Sequence, residues 1–271
     1  MSGYMGVVDG VENGCLPLDD RGLAYGHGVF ETMEIASGRV PHWARHWRRL
    51  TRGCARLGIR QPDEARVRAT VERQVAGHPR AVLKLLVTAG SGGAGYRVPA
   101  HHSPRCIVAI RPWPQRQIPD AGVAVRLCAT RLPFDARLAG IKHLNRLHSV
   151  LARAEWGDTP EEGLLSDPDG NIVEGTMSNV FWVEGDTLLS PDLSRCGVAG
   201  IMRERILEWA ERAGIATSIA RCPPARLLAA DGVFVCNSLI GVWPVARVDH
   251  QGLPDAALIR RVQSAVSRGA C

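Results

Sequence analysis

At 271 residues and 29.3 kDa the chain is long enough for one large domain or two ordinary ones, and too long for a small disulfide scaffold. Apolar residues make up 45% and charged residues 22%, which excludes the disordered, collagen-like and low-complexity classes. The formal charge is +6 and the pI about 9.1, but the arginines are spread along the chain, so the excess suits a small acidic substrate better than nucleic acid.

No apolar stretch approaches the ~20 residues of a membrane helix, and MSGYMGVVDGVENG lacks a basic segment followed by a hydrophobic one. A cytoplasmic protein without membrane contact is therefore expected. The eight cysteines, at 15, 54, 106, 128, 196, 222, 236 and 271, form no CxxC pair and no tetrahedral metal-ligand spacing. They are expected to be reduced and inert, with no metal site.

In chain order, Val7 and Val8 lead into Asp9-Gly10, a dipeptide suited to a tight hairpin turn, and an extended segment resumes at Val11. After the polar stretch LDDRG, Val29 to Ile35 predict a strand closed by Ser37-Gly38, with Pro41 at a first helical position. The helix predicted from there to about Gly58 carries Trp43, Trp47, Leu50, Cys54 and Leu57 at offsets of 4, 3, 4 and 3, which gathers them on one core-facing side. Pro62 to Ala76 predict a second helix, Ala81 to Ala89 a buried strand running into GSGGAG, and CIVAI a short strand. RPWPQRQIP, from Arg111, holds three prolines in nine residues and reads as a linker. The boundary is placed there, giving an N-terminal α/β domain over 1–115 and a C-terminal domain over 116–271.

Beyond it, Val123 to Ala129 predict a strand, and Ile141-Lys142 stand before a helical pattern, HLNRLHSVLARAEW, through Leu144, Leu147, Leu151 and Ala154. Leu164-Leu165, the turn SDPDGN, a strand pair in NIVEGTMSNVFWV and DTLLS, and the loop GVAG follow. A helix from near Ile201, the strand VFVC and a last amphipathic helix near Ala256 to Val266 complete the chain. Strands and helices alternate loosely, so the fold class is α/β or α+β in two domains.

Of the 33 basic residues only Lys84 and Lys142 are lysines, so chemistry that needs a side-chain primary amine has two candidates. Lys84 lies inside an apolar strand, where alternation puts it on the face opposite Leu83 and Leu85, an ordinary place for a solvated lysine. Lys142 stands at a strand-to-helix junction, a position from which a side chain projects while rigid elements hold its backbone.

The motifs around Lys142 extend the argument. IKHLNRLHSVLARAE, VEGTMSNVFWV and GVAGIMR follow one another, after LDDRGLAYGHGVFET, GRVPHWARHWRRL and GSGGAGY and before VFVCNSLIGVWPV. In this order, over nearly the whole chain, they resemble the fold type IV pyridoxal-phosphate enzymes, most closely the aminodeoxychorismate lyases among them. The resemblance implies a smaller N-terminal domain and a larger cofactor-binding C-terminal domain with a barrel-like sheet, assembled as a homodimer. It implies pyridoxal 5'-phosphate as cofactor and Lys142 as the Schiff-base lysine and general base. Glu174 is implied to face the pyridine nitrogen, although alone it reads as a solvated strand-end glutamate. Arg49 is implied to hold the phosphate, together with the backbone amides of Ile201 and Met202 and with Asn237 and Ser238. Helical-wheel arithmetic agrees for Arg49, which at 100° per residue falls about 120° from the apolar stripe while Arg45, Arg48 and Arg52 fall roughly 140° to 200° away.

Members of the family share this apparatus and differ in substrate-facing residues. In D-amino-acid transaminases the segment after the buried strand supplies an arginine and a histidine that trap a carboxylate. Ala94 and Tyr96 occupy those positions here. The lyase pattern also departs, since arginine is usual where Ala89 and Ala94 stand and aspartate where His27 stands. Recognition of a substrate with two carboxylates is therefore expected to fall on Arg97 or His27, near Tyr96. The implied reaction is conversion of 4-amino-4-deoxychorismate to p-aminobenzoate and pyruvate. A branched-chain or D-amino-acid transaminase on the same scaffold is the alternative, and a basic binding protein without activity a more distant one.

Overall fold

The computed structural model describes residues 5–12, 14–93, 95–114 and 121–267, with the side chain of Met5 left aside. The chain divides into two compact units, residues 1–115 with 141–145, and residues 116–140 with 146–271. The expected boundary and most of the proline-rich linker lie outside the described residues, as do Ala94 and Cys271.

The first unit is built on an antiparallel sheet of β1 (Met5–Val8), β2 (Val11–Glu12), β3 (Gly28–Ala36), β4 (Arg80–Thr88) and β5 (Arg105–Pro112), in the order β2-β1-β5-β4-β3. Asp9 and Gly10 turn the first hairpin with φ of 52° and 88°, the left-handed pair that matches strand twist. A short helix, α1 (Arg21–Tyr25), occupies the stretch expected to be a polar loop, because the buried Asp20 carboxylate accepts from the Gly22 and Leu23 amides and so caps it. Helices α2 (Trp43–Arg56) and α3 (Glu64–Val75) cover one sheet face. Val29, Met33 and Ile35 of β3 and Leu83, Leu85 and Val87 of β4 pack there against Trp47, Leu50, Cys54, Val67 and Val71. Helix α2 starts two residues after Pro41, since His42 adopts φ 58° and cannot continue a helix.

Residues 141–145, expected with the C-terminal domain at the head of a helix, are instead extended and pair with the β3 edge. Val29 bridges His143, the Phe30 amide donates to the Lys142 carbonyl at 2.9 Å, and the Leu144 amide donates to the Gly28 carbonyl at 2.9 Å. Backbone pairing at an open edge wins over the local helical pattern.

The second unit contains β6 (Val123–Arg131), α4 (Leu147–Arg153), β7 (Glu162–Ser166), β8 (Ile172–Gly175), β9 (Asn179–Glu184), β10 (Thr187–Pro191), α5 (Ile201–Arg212), β11 (Thr217–Ala220), α6 (Pro224–Leu228), β12 (Gly232–Asn237), β13 (Gly241–Val248), β14 (Gln251–Gly252) and α7 (Ala257–Ser267). Its mixed sheet runs β11-β10-β9-β12-β13-β6-β7-β8, with β14 on β13. The Ile172 amide at the β8 edge donates to the Cys222 carbonyl just past β11 at 2.8 Å, which brings the two ends of the sheet together as a barrel-like sheet requires. Strand β9 alternates strictly. Val180 and Trp182 enter the sheet interior with Val233, Val235 and Trp243, while Phe181 and Val183 pack under α5 and α7, Phe181 stacked on Phe234 at 4.9 Å.

The helical stripe expected after Lys142 is shorter and is not a core face. Leu147, Val150 and Leu151 of α4 are exposed. Seven described cysteines carry no disulfide, and burial pushes the thiols of Cys54, Cys106, Cys128, Cys196 and Cys222 up to about 12, as inert cysteines require. Among the described residues no group of acidic, histidine or cysteine side chains is arranged for a metal, and no helix is long and apolar enough to cross a membrane.

Candidate active site

Alternation along the added edge segment decides where Lys142 points. Ile141 and His143 turn to the buried face with Val29, which leaves Lys142 half-buried on the opposite face, its Nζ 4.5 Å from the centre of the Phe30 ring. Lys84 is on that face too. It pairs with Thr32 across β3 and β4, and its Nζ lies 5.1 Å from the same ring. Burial lowers the Lys84 pKa, and the nearby positive Arg111 lowers it further. Both lysines of the chain therefore flank one phenylalanine, a relation that no local pattern around Lys84 signals.

Arg49 sits on the other face of the sheet. It is buried, and its Nε donates to Glu31 Oε1 at 2.7 Å while Nη2 donates to Oε2. His46 Nδ1 donates to the same Oε2 at 2.6 Å. Glu31 alternates with Val29, Met33 and Ile35 and so enters the core face directly beneath α2. Burial raises its pKa, but the Arg49 charge and the hydrogen bonds from His46 and Arg49 more than reverse this, bringing it from 4.5 to about 2. The carboxylate fixes the guanidinium fork in one plane.

This arrangement makes stability depend on pH. Because the folded-state pKa lies below the ordinary value, the contribution of Glu31 is complete above about 4.5 and is lost as pH falls from 4.5 toward 2. Glu31→Gln is expected to cost about 3–5 kcal/mol at pH 7, the usual penalty for breaking a buried pair from one side. Urea unfolding at pH 7 and at pH 3 should find the gap between wild type and variant narrowing in acid, and an unchanged gap would contradict the assignment.

The remaining predicted residues of the first unit lie around α1. His27 Nδ1 accepts from Arg21 Nε at 3.3 Å, which puts its proton on Nε2, 2.9 Å from the Leu57 carbonyl. Both ring nitrogens are engaged in the scaffold. Tyr96 and Arg97 are exposed on the loop after β4, with the Tyr96 ring 5.3 Å from Tyr25.

In the second unit Glu174, 5% exposed, lies next to the end of β8 and accepts from the Val198 amide through Oε2 at 2.8 Å. Val198 belongs to the GVAG loop, which is bridged to Gly140, two residues before Lys142 in the chain; the Gly140 amide donates to the Gly197 carbonyl at 2.8 Å. Burial lowers the pKa of Arg146 and the charge of Glu174 partly restores it. Beyond the loop, Ile201 and Met202 open α5, where amides have no intrahelical acceptor, and Gly200 supplies no side-chain cap. A Cβ at Gly200 would stand 2.0 Å from Asn179 Oδ1, so only glycine lets the loop pass that close.

Asn237 and Ser238 follow β12. The Asn237 side chain is used by the scaffold, its Oδ1 accepting from Leu239 and Ile240 and its Nδ2 donating to the Met177 carbonyl at 3.0 Å. Ser238 is half-buried. Sequence reasoning missed Glu162, 1% exposed, whose carboxylate accepts from the Gly163, Thr176 and Met177 amides and the Thr176 and Ser178 hydroxyls, thereby shaping the loop after Glu174. An acidic residue opening an apolar strand was its one sequence signal.

The amino-transferase class IV family matches residues 28–248. An aminodeoxychorismate lyase of Vibrio harveyi is 33% identical over 94% of this chain and 97% of its own length. The crystal structure of 4-amino-4-deoxychorismate lyase from Pseudomonas aeruginosa superposes with a TM-score of 0.92 at 43% identity, covering 97% of this chain and 98% of that one. The branched-chain amino acid aminotransferase of Escherichia coli has the same fold, with a TM-score of 0.83 at 22% identity over 98% of this chain and 93% of that one. The chain belongs to the amino-transferase class IV family.

Proposed function

We propose that the chain is a pyridoxal-phosphate-dependent aminodeoxychorismate lyase, converting 4-amino-4-deoxychorismate to p-aminobenzoate and pyruvate. The observation that carries the reading is 43% identity over nearly the full length to a lyase of that name, against 22% to the aminotransferase of the same fold.

The residues present suit the cofactor chemically. A phosphate needs cations and amide donors, a ring nitrogen needs an anion, and an aldehyde needs an amine. The first unit offers a buried, oriented guanidinium at Arg49 and an amine at Lys142. The second offers the uncapped α5 amides of Ile201 and Met202, the Ser238 hydroxyl and the buried carboxylate of Glu174. When bound, pyridoxal phosphate supplies an aldehyde that condenses with an amine and a ring that takes up the electron pair left when the neighbouring carbon loses its proton.

Lys142 Nζ takes the proton from the substrate carbon that bears the amine, and the Phe30 ring face steadies the resulting ammonium. Loss of that proton allows the bond from the ring to the enolpyruvyl oxygen to break, the six-membered ring becomes aromatic, and the expelled enolpyruvate takes up a proton to become pyruvate. Glu174 holds its negative charge at a fixed point because the Val198 amide pins Oε2. Asn237 acts on the scaffold, holding Met177 and leaving the polar contact to Ser238. Arg97, next to Tyr96 in the chain, is the cation proposed for the substrate carboxylates, since both nitrogens of His27 are already engaged.

We also infer a cytoplasmic homodimer. The motif resemblance supports it, and Leu147, Val150 and Leu151, at i, i+3 and i+4 on α4, give the second unit an exposed apolar edge. Incubation of the cofactor-loaded protein with 4-amino-4-deoxychorismate tests the activity. Pyruvate and p-aminobenzoate are expected in equal amounts without a keto acid, whereas turnover that requires a keto-acid acceptor would make the protein a transaminase.

A further inference from the structure

One buried cation has no place in that chemistry. Arg21 is 3% exposed at the start of α1, and among the described residues no carboxylate pairs with it. Its guanidinium donates to backbone carbonyls of one loop: Nη2 to Tyr96 at 3.0 Å, and Nη1 to Gly95 at 3.1 Å and to Gly92 and Arg97 at 3.4 Å each. Its own amide donates to the Gly90 carbonyl at 2.9 Å. The Tyr25 ring lies 5.0 Å from the guanidinium carbon and 5.3 Å from the Tyr96 ring. A glycine-rich loop without a strand or helix to close its carbonyls has high conformational entropy when free, so a planar five-donor fork at its centre is what gives it one shape.

We propose that Arg21 is a positioning residue: through the carbonyls of Gly92, Gly95, Tyr96 and Arg97 it holds the loop so that Tyr96 and Arg97 are presented in the shape that binds the substrate's carboxylates. The inference rests on the lyase reading of the site. Arg21 acts on substrate binding rather than on the proton transfer at Lys142. Its Nε bond to His27 extends the same brace to the end of α2, through the Leu57 carbonyl. This explains why a histidine at position 27 is scaffold.

Lysine is the informative replacement, because a point ammonium with three donors cannot serve carbonyls spread over six residues in one plane. Arg21→Lys is expected to raise KM for 4-amino-4-deoxychorismate about tenfold while kcat changes less than about threefold, with the cofactor absorbance unaltered. Trypsin should cleave after Arg97 about tenfold faster in the variant, as read by peptide mapping of the first cut. Gly93→Ala approaches from the exposed side without touching the buried cation. At φ 79° its Cβ would meet the Arg97 carbonyl oxygen at 2.9 Å, so it should reproduce the rise in KM in a folded protein even if Arg21→Lys does not fold.

Combining Arg21→Lys with Arg97→Ala should add nothing to the KM of Arg97→Ala alone. Unchanged cleavage after Arg97 overturns the brace, and faster cleavage with unchanged KM overturns its role in binding. Additive effects of the two substitutions overturn the route through Arg97. If the wild type forms no pyruvate from the substrate, the lyase reading falls, and the trypsin comparison still decides the brace.

Discussion

Lys142→Ala is expected to abolish turnover, lowering kcat by about 10³-fold or more, since the proposed reading makes the general base and the amine that holds the cofactor one group. The fold should survive. What positions residue 142 is its backbone, through the bond from the Phe30 amide to its carbonyl and the neighbouring bridge of His143 to Val29, and alanine keeps both. Lys142 is half-buried and its side chain is not part of the hydrophobic core, so thermal unfolding should shift by only a few degrees. Added primary amines should restore part of the rate. A folded Lys142→Ala protein that turned over within about tenfold of wild type would remove this residue from the chemistry.

The second large effect is expected at Glu174. Glutamine retains an oxygen for the Val198 amide, so Glu174→Gln can keep that hydrogen bond while removing the charge. Turnover should fall about 10²-fold with little change in KM if Glu174 has the proposed role, because a charge facing the ring nitrogen would matter most when negative charge is building in the ring. Some stability should go with it, since burial works against the charge of Arg146 and Glu174 offsets part of that. Glu174→Asp keeps the charge but shortens the reach to Val198, and should lie between the two. Equal activity of Glu174→Gln and wild type in a pyruvate-release assay would show that the carboxylate serves the GVAG loop alone.

Residues whose surroundings are local in sequence were the legible ones. The scarcity of lysine narrowed the amine to two positions, and the wheel of α2 set Arg49 nearer the apolar stripe than Arg45, Arg48 and Arg52; of these four only Arg49 is buried. Strand limits around Val29–Ile35 and Val233–Cys236 followed from apolar runs and turn residues. Long-range relations were hidden. Glu31 drew no notice in the sequence because its partners lie 15 and 18 residues away on a helix. Arg21 stood in the polar stretch LDDRG without a sign of its role, because its carbonyl acceptors are 71 to 76 residues further along. The periodic leucines after Lys142 misled for a different reason. Leu147 and Leu151 have helical spacing yet remain exposed, and residues 141–145 were claimed by the open edge of β3, which no local pattern records.

Lys84 is the sharper lesson. Its alternation in β4 was read correctly, but the half-buried face it points to is the one that Lys142 joins from another part of the chain. Two amines within about 5 Å of one ring centre make the choice between them an experimental matter. Borohydride reduction of the cofactor-loaded protein followed by peptide mapping decides it: the account predicts a single pyridoxyl adduct, on Lys142, and an adduct on Lys84, or on neither lysine, would contradict it.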